Sequence, residues 1–189
     1  MKPFKSVAIV KHPIEQVWLT VLNRLPDLVP FMEDMEKISQ LKREDLPYGV
    51  TRLDNLWQAK PMLRLSPGSS TATGQGLQLK PEMFAWIDRA EWRPQDHACH
   101  WQIESRFMPD ALKCWGVTSY EPAIGGRGTR VTFEGKLGMS TGTLLPGLGF
   151  LDGSLMSGFE TLASSLIPKN MRKMTEAVGI FLDQYPARD

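Results

Sequence analysis

The feature that most restricts the fold of this chain is a series of segments in which apolar and polar side chains alternate. Residues 84–92, 97–107, 113–119 and 129–137 each show this period of two, which is typical of strands with one buried face. Short turns such as "GGRG" at 125–128 separate them. Neighbouring strands joined by tight turns predict an antiparallel meander, because parallel strands need longer crossover connections.

The alternation also predicts which side chains point to the interior. In the last of these segments Arg130, Glu134 and Lys136 share one face, so the apolar residues between them are expected to point inward. Over the whole sheet the predicted inner face carries Trp57, Trp86, Asp88, Trp101, Ser105, Trp115 and Phe133. Indole rings in these positions either fill the core or line a cavity for a ligand, and the sequence leaves both alternatives open.

The chain begins with a strand that runs into a helix. An apolar, β-branched run at 6–10 is followed by His12 and Pro13. Proline suits the first position of a helix, because the amide hydrogen that it lacks would be unpaired there anyway. A second, brief helix is predicted at 31–36. Between Pro13 and this second helix, apolar residues recur at three- and four-residue steps, which predicts a first helix packed on the core. These residues are Val17, Trp18, Val21, Leu22 and Leu25.

The middle and the end of the chain show further periodic segments. Weaker alternation at 38–45 and 51–57 predicts two strands around an "LPYG" turn. The Gly-, Ser- and Thr-rich segment 66–76 is predicted to be a loop. From 155 to 181 the apolar residues, Phe159 among them, follow helical stripes, which predicts a long terminal helix.

Composition favours an ordinary globular domain. Of 189 residues, 42% are hydrophobic and 23% are charged, and no repeat or linker divides the chain, so we expect one domain over 1–189. A net charge of +1 gives no basic patch typical of nucleic-acid binding. The apolar stretch 144–151 is broken by Pro146 and is far shorter than the roughly 20 residues of a membrane span. We therefore predict a cytoplasmic protein without an integral membrane segment.

The cysteines and histidines do not indicate a metal or a disulfide. Cys99 and Cys114 fall on consecutive strands at positions too far apart along the ladder for a disulfide, so we interpret them as buried thiols. His97 and His100 lie near Cys99, but no second group of residues with metal-ligand spacing occurs in the sequence. No metal and no cofactor are predicted.

Two motifs resemble a known superfamily. "SVAIVKHPIEQVWLTVLNRLPDLVPFM" at 6–32 resembles the opening of START-like (SRPBCC) proteins, in which a strand runs into a proline-started helix with a Val-Trp pair. "GGRGTRVTFEGKL" at 125–137 is similar to the penultimate turn and last strand of that superfamily. Together with the predicted order of strands and helices and the long amphipathic terminal helix, these motifs extend the resemblance over nearly the whole chain. It implies an α+β helix-grip fold: a curved seven-stranded antiparallel sheet wrapped around a long C-terminal helix, with two short helices after the first strand.

The resemblance also implies a function. START-like proteins bind hydrophobic molecules in a cavity between sheet and terminal helix, so we expect a small lipid, polyketide or aromatic ligand. The segments 66–76 and 138–153 are expected to control access to the cavity. No catalytic motif of a subfamily matches, so the resemblance assigns no catalytic residue. The predicted ligand contacts are Trp57, Trp86, Asp88, Trp101, Ser105, Trp115, Phe133 and Phe159.

Asp88 is the residue on which the alternatives depend. A carboxylate on an apolar face loses hydration and its pKa rises, unless it lies near a strand end, bonded to arginine or water. Inside a cavity it would be a polar contact for a ligand, or a proton donor in an enzyme of the polyketide cyclase or aromatase type that also uses pocket hydroxyls. A third alternative is a protein-interaction module that exposes the leucine-rich segment 144–151. The sequence leaves the oligomeric state and the presence of catalysis open.

Overall fold

The computed structural model describes residues 1–60, 84–106, 109–110, 112–139 and 171–186. Its seven strands are β1 (Lys2–Val10), β2 (Met35–Asp45), β3 (Thr51–Ala59), β4 (Ala85–Arg93), β5 (Ala98–Ser105), β6 (Leu112–Ala123) and β7 (Gly128–Met139). The helices are α1 (Ile14–Arg24), a 3₁₀ helix at Leu25–Phe31, and α2, which covers 171–184. Single 3₁₀ turns at Pro47–Gly49 and Ile124–Gly126 join neighbouring strands.

The strands form one antiparallel sheet in the order β1-β7-β6-β5-β4-β3-β2. Every strand from β2 to β6 pairs with the next one along the chain, and β1 pairs with β7. The predicted meander is therefore confirmed. Residues opposite each other in such ladders share a face, so the pairing fixes which side chains lie together.

The strand-to-helix joint is as predicted, and α1 packs through its tryptophan. The amide of Val17 donates to the carbonyl of Pro13 at 3.2 Å, which closes the first helical turn. Trp18 lies edge-on against Trp92 and Tyr120, at centroid distances of 5.0 and 5.3 Å. An indole in this position joins the helix to the inner face of β4 and β6, and this explains why the chain buries a tryptophan directly after the first strand.

The short helix lies earlier than the sequence predicted. It covers Leu25–Phe31, not 31–36, and β2 already begins at Met35. Pro26 and Pro30 lie within this helix. From the sequence alone two prolines at this spacing indicate a turn, but their fixed φ is also compatible with a helical turn. The buried Leu25 and Leu28 face the core, and this burial determines where the helix lies.

The terminal helix α2 packs against α1 and the β1–β7–β6 side of the sheet. Met174, Val178, Phe181 and Leu182 are buried along one stripe, as the sequence predicted for the first three. Two polar contacts hold the helix: His12 Nε2 is hydrogen-bonded to Asp183 Oδ1 at 2.9 Å, and Lys173 forms an ion pair with Asp34. At this contact α2 leaves no space for a water molecule beside the side chains of Val10, Val17, Val21, Tyr120 and Val131.

Several predictions lie outside the described residues. They are the loop at 66–76, the segment 144–151, the part of the terminal helix that would contain Phe159, and 138–153 apart from its first two residues, which end β7. Among the described helices, none is both long and apolar enough to cross a membrane.

Candidate functional site

The candidate site lies on the inner face of β3, β4 and β5. The register places Trp57 opposite Trp86, and Trp86 opposite Ser105. In the next row Asn55 faces Asp88, and Asp88 faces Ile103. Two aromatic rings, a carboxyl and an amide thus occupy adjoining positions of one apolar face. The predicted inward facing of Trp57, Trp86, Asp88 and Ser105 is confirmed, while their contact with a ligand stays a prediction.

Asp88 is the most perturbed carboxyl of the site. It lies in the middle of β4, so the predicted position near a strand end is wrong, and no basic side chain of the described residues pairs with it. The side chain keeps some accessible surface, yet burial of its carboxyl raises the pKa of Asp88 to about 7. The nearby Asp54 carboxylate raises the pKa further. Asp88 is therefore close to half-protonated at neutral pH.

The indole N–H of Trp57 opposes that rise. It lies close enough to the Asp88 carboxylate to lower the pKa, although its geometry falls short of a full hydrogen bond. Among the described residues, the buried Nε1 atoms of Trp57 and Trp92 have no hydrogen-bond acceptor. A buried donor left without an acceptor costs about 1–3 kcal/mol. Among the described residues, the site thus places a buried indole N–H, in weak contact only, beside a carboxyl that has no basic partner.

Trp57 and Trp86 form the aromatic part of the site. Their rings are stacked with centroids 5.8 Å apart and planes 14° from parallel. Trp57 is buried, whereas Trp86 is only partly covered. Because the Trp86 ring keeps accessible surface on the inner face, it is available to a planar ligand.

Trp101 and Phe133 are packed as core residues. The Trp101 ring stacks on Phe4 at 6.2 Å, and its Nε1 donates to Thr118 Oγ1 at 3.0 Å. A Cβ atom added to Gly116 would lie 2.6 Å from Trp101 Cζ2, so the ring occupies the space that a side chain at this glycine would fill. Phe133 is 1% exposed. Both residues face inward as predicted, and a ligand contact for either stays a prediction.

The predicted inward position of Trp115 is wrong. This residue is 43% exposed and lies in an open depression on the outer face, next to Lys5, Val117 and Lys136. The inner face of β6 carries Cys114, Gly116, Thr118 and Tyr120 instead. Gly116 belongs inside because Trp101 covers it, and this forces the neighbouring Trp115 to the opposite side of the strand.

Tyr120 and Thr118 were therefore missed in the prediction of the inner face. The signal that could have found them is charge, because Lys113 and Glu121 have the same parity as Trp115 and mark its face as the outer one. The hydrophobicity of "CWGV" suggested the opposite assignment.

The thiols beside the site are neutral. Cys99 and Cys114 are free and buried, as the sequence predicted. Burial, and to a lesser extent the charge of Asp88, raise the pKa of Cys114 to about 12 and the pKa of Cys99 well above its usual range. Within the described ranges, no three His, Cys, Asp or Glu side chains come close enough together to hold a metal ion.

Comparison by structure places this arrangement among known folds. No protein-family model and no curated protein sequence matches the chain. The Zhui aromatase/cyclase from Streptomyces sp. R1128 matches with a TM-score of 0.63 at 10% identity, over 97% of this chain and 94% of that one. The protein TTHA0849 from Thermus thermophilus matches with a TM-score of 0.61 at 17% identity, over 94% and 97%. Norcoclaurine synthase from Thalictrum flavum matches with a TM-score of 0.57 at 13% identity, over 99% and 89%.

The chain has the helix-grip fold of these structures. Nearly the full lengths of these structures are covered, so the likeness concerns the whole fold and not one motif. In the helix-grip fold the inner sheet face and the terminal helix enclose the interior, and the row of Trp57, Trp86 and Asp88 lies on that face. At these identities the likeness shows the fold and leaves the ligand open.

Proposed function

We propose that this helix-grip protein binds a small hydrophobic molecule at the inner face of β3–β5. One observation carries the proposal: a stacked indole pair, Trp57 and Trp86, lies beside the Asp88 carboxyl, which has no basic partner among the described residues, on a largely apolar face. Ligand sites combine apolar walls with a few polar groups that fix orientation, and this row of residues has that composition.

The expected affinity is moderate. A ligand that buries about 300 Å² of apolar surface gains roughly 7 kcal/mol, before the costs of ordering are subtracted. Polar contacts with Asp88, with Asn55 or with Ser105 would add to this and select among ligands of similar size. We therefore expect micromolar affinity at best for a ligand that uses the apolar contacts alone.

A binding experiment with matched tryptophan variants tests the proposal. Equilibrium dialysis with 2-naphthalenemethanol, a neutral bicyclic probe, is expected to give a Kd in the micromolar range. Trp86→Ala should weaken binding about tenfold, because an aromatic contact is worth roughly 1 kcal/mol or more. Trp115→Ala, which removes an indole from the outer face, is the control and should leave the Kd unchanged. Equal losses in the two variants would contradict the proposal.

The natural ligand can be sought directly. Native mass spectrometry of protein purified from its own host is expected to show a co-purified small molecule, which denaturing conditions release. Trp86→Ala purified in parallel should carry less of it, and Trp115→Ala should carry the same amount. A molecule retained equally by both variants would place its binding elsewhere.

Catalysis is the second candidate function, and the pKa of Asp88 favours it. A carboxyl that titrates near pH 7 can both donate and accept a proton under physiological conditions. Zhui and norcoclaurine synthase are named as enzymes, so this fold is compatible with catalysis. If the protein is an enzyme of the cyclase or aromatase kind, Asp88→Asn should lower turnover about 100-fold or more, a far larger effect than a change in binding alone.

A further inference from the structure

Within the described part of the chain, Asp88 has no counter-ion on its own face of the sheet. The adjacent basic residue, Arg89, points to the outer face, where its Nη1 lies 3.0 Å from Asp54 Oδ2 and its Nη2 lies 2.9 Å from Glu104 Oε2. Among the described residues no lysine, arginine or histidine pairs with Asp88. The charged group that acts on it most is Asp54, which is also negative.

The groups that surround Asp88 supply no positive charge either. Asn55 lies opposite it on β3, and Ile103 lies opposite it on β5. The thiols of Cys99 and Cys114 and the phenol of Tyr120 all have pKa values raised by burial, so they are neutral at pH 7. On α2, Lys173 is already paired with Asp34.

The aromatic part of the site also favours a positive charge. Indole faces are electron-rich and attract cations. The stacked rings of Trp57 and Trp86 occupy the row next to Asp88. An anion would be repelled by the carboxylate. A neutral ligand can pair with Asp88 only while the carboxyl holds its proton, whereas a cation pairs with the carboxylate itself.

We propose that the ligand of this site is a hydrophobic organic cation, an amine with an aromatic or aliphatic body, whose charged group binds Asp88 and lies against the Trp57–Trp86 pair. The inference rests on the proposed function and specifies its ligand class. It follows from a carboxyl that has no cationic partner among the described residues, beside an aromatic stack that would accept one.

Three probes with one bicyclic body test this inference. They are 2-naphthylmethylamine, which is a cation, 2-naphthalenemethanol, which is neutral, and 2-naphthoate, which is an anion. At pH 8, equilibrium dialysis is expected to show the amine binding at least tenfold more tightly than the alcohol, and the carboxylate binding more weakly than both. Lowering the pH to 6 should weaken amine binding about tenfold relative to the alcohol, because Asp88 then holds its proton.

Two variants test whether the preference for the amine over the alcohol comes from the Asp88 carboxylate. Asp88→Asn should bring the ratio of amine to alcohol affinity to about one. Asp54→Asn removes a carboxylate from the outer face of the neighbouring strand and should keep the ratio at tenfold or more. Amine and alcohol affinities within threefold of each other in the wild type would overturn the cation inference and leave the proposed function standing. Absence of binding by all three probes at millimolar concentration would overturn both.

Discussion

The two ends of the inner sheet face differ in how completely they are packed. At the β1–β7–β6 end, Val10, Val131 and Tyr120 meet α1 and α2 without room for a water molecule. At the β3–β4 end, Trp86 and Asp88 keep accessible surface, and the indole nitrogen of Trp57 has no hydrogen-bond acceptor among the described residues. The first end therefore stabilises the fold, whereas the second carries groups whose burial costs stability and which form the proposed ligand site.

The largest change in stability is expected from a substitution at the tightly packed β1–β7–β6 end. Phe133→Ala should lower the free energy of unfolding by about 3–5 kcal/mol, because the ring is fully buried and its removal leaves a cavity. Urea unfolding measures this, with an unchanged m-value as the sign that only stability has changed. Thr132→Ala, on the outer face of the same strand, is the control. A loss below about 1 kcal/mol for Phe133→Ala would mean that this end is not tightly packed.

At the β3–β4 end, a substitution of Asp88 is expected to stabilise the protein, whereas Phe133→Ala destabilises it. The folded-state pKa of Asp88, about 7, lies above its ordinary value of 3.8, so the folded protein holds a proton that the unfolded chain releases. The free energy of unfolding therefore falls as the pH rises from about 4 to 7 and stays constant above. Asp88→Asn should raise it by up to about 4 kcal/mol at pH 8 and change it little at pH 3.5.

Urea unfolding of wild type and variant at both pH values checks this prediction. Asp96→Asn, at an exposed turn position, is the control and should have the same small effect at both. A stabilisation by Asp88→Asn that is equal at pH 3.5 and pH 8 would show that the pKa of Asp88 is not raised by folding.

A substitution of Gly116 tests whether the Trp101 ring has a fixed position in the core. Gly116→Ala should destabilise the protein by about 2–3 kcal/mol, since its Cβ would lie 2.6 Å from Trp101 Cζ2 and would also collide with the carbonyl of Glu134. Ser119→Ala on the outer face of β6 should change stability little. Thermal unfolding of both variants measures the difference. Equal melting temperatures would mean that Trp101 can move away and is not fixed as a core residue.

The smallest change in stability is expected from a substitution on the outer face of the sheet. Trp115→Ala should lower the free energy of unfolding by about 1 kcal/mol, because a side chain that is 43% exposed loses only part of the apolar contacts of a buried tryptophan. Tryptophan fluorescence during urea unfolding gives the value. A loss of several kcal/mol would return Trp115 to the interior, where the alternation of β6 had predicted it.

The sequence predicted the strands well, because five of the seven carry either clear alternation or an unbroken apolar run, and the other two alternate more weakly. The inward position of Asp88 and its raised pKa followed from its parity with Trp86 and Ala90. The face of β6 was predicted wrongly, since hydrophobicity along one strand does not reveal that Trp101 of the neighbouring strand fills the space above Gly116. That contact depends on the register between strands.

The prediction of where the short helix lies was wrong for a related reason. Pro26 and Pro30 are compatible with both a turn and a 3₁₀ helix, and the decision depends on the burial of Leu25 and Leu28 against the rest of the core. The unpaired state of the Trp57 nitrogen among the described residues was also beyond the sequence, because it depends on the positions of all nearby acceptors.

The indole N–H signals in a ¹H–¹⁵N correlation spectrum test the central claim most directly. The chain has six tryptophans, and each signal can be assigned by a single Trp→Phe substitution. On titration with 2-naphthalenemethanol, the signals of Trp57 and Trp86 are expected to shift together and saturate, while the signal of Trp115 stays in place. Binding that moves Trp115 and leaves Trp57 and Trp86 unchanged would contradict a ligand site on the inner face of β3–β5.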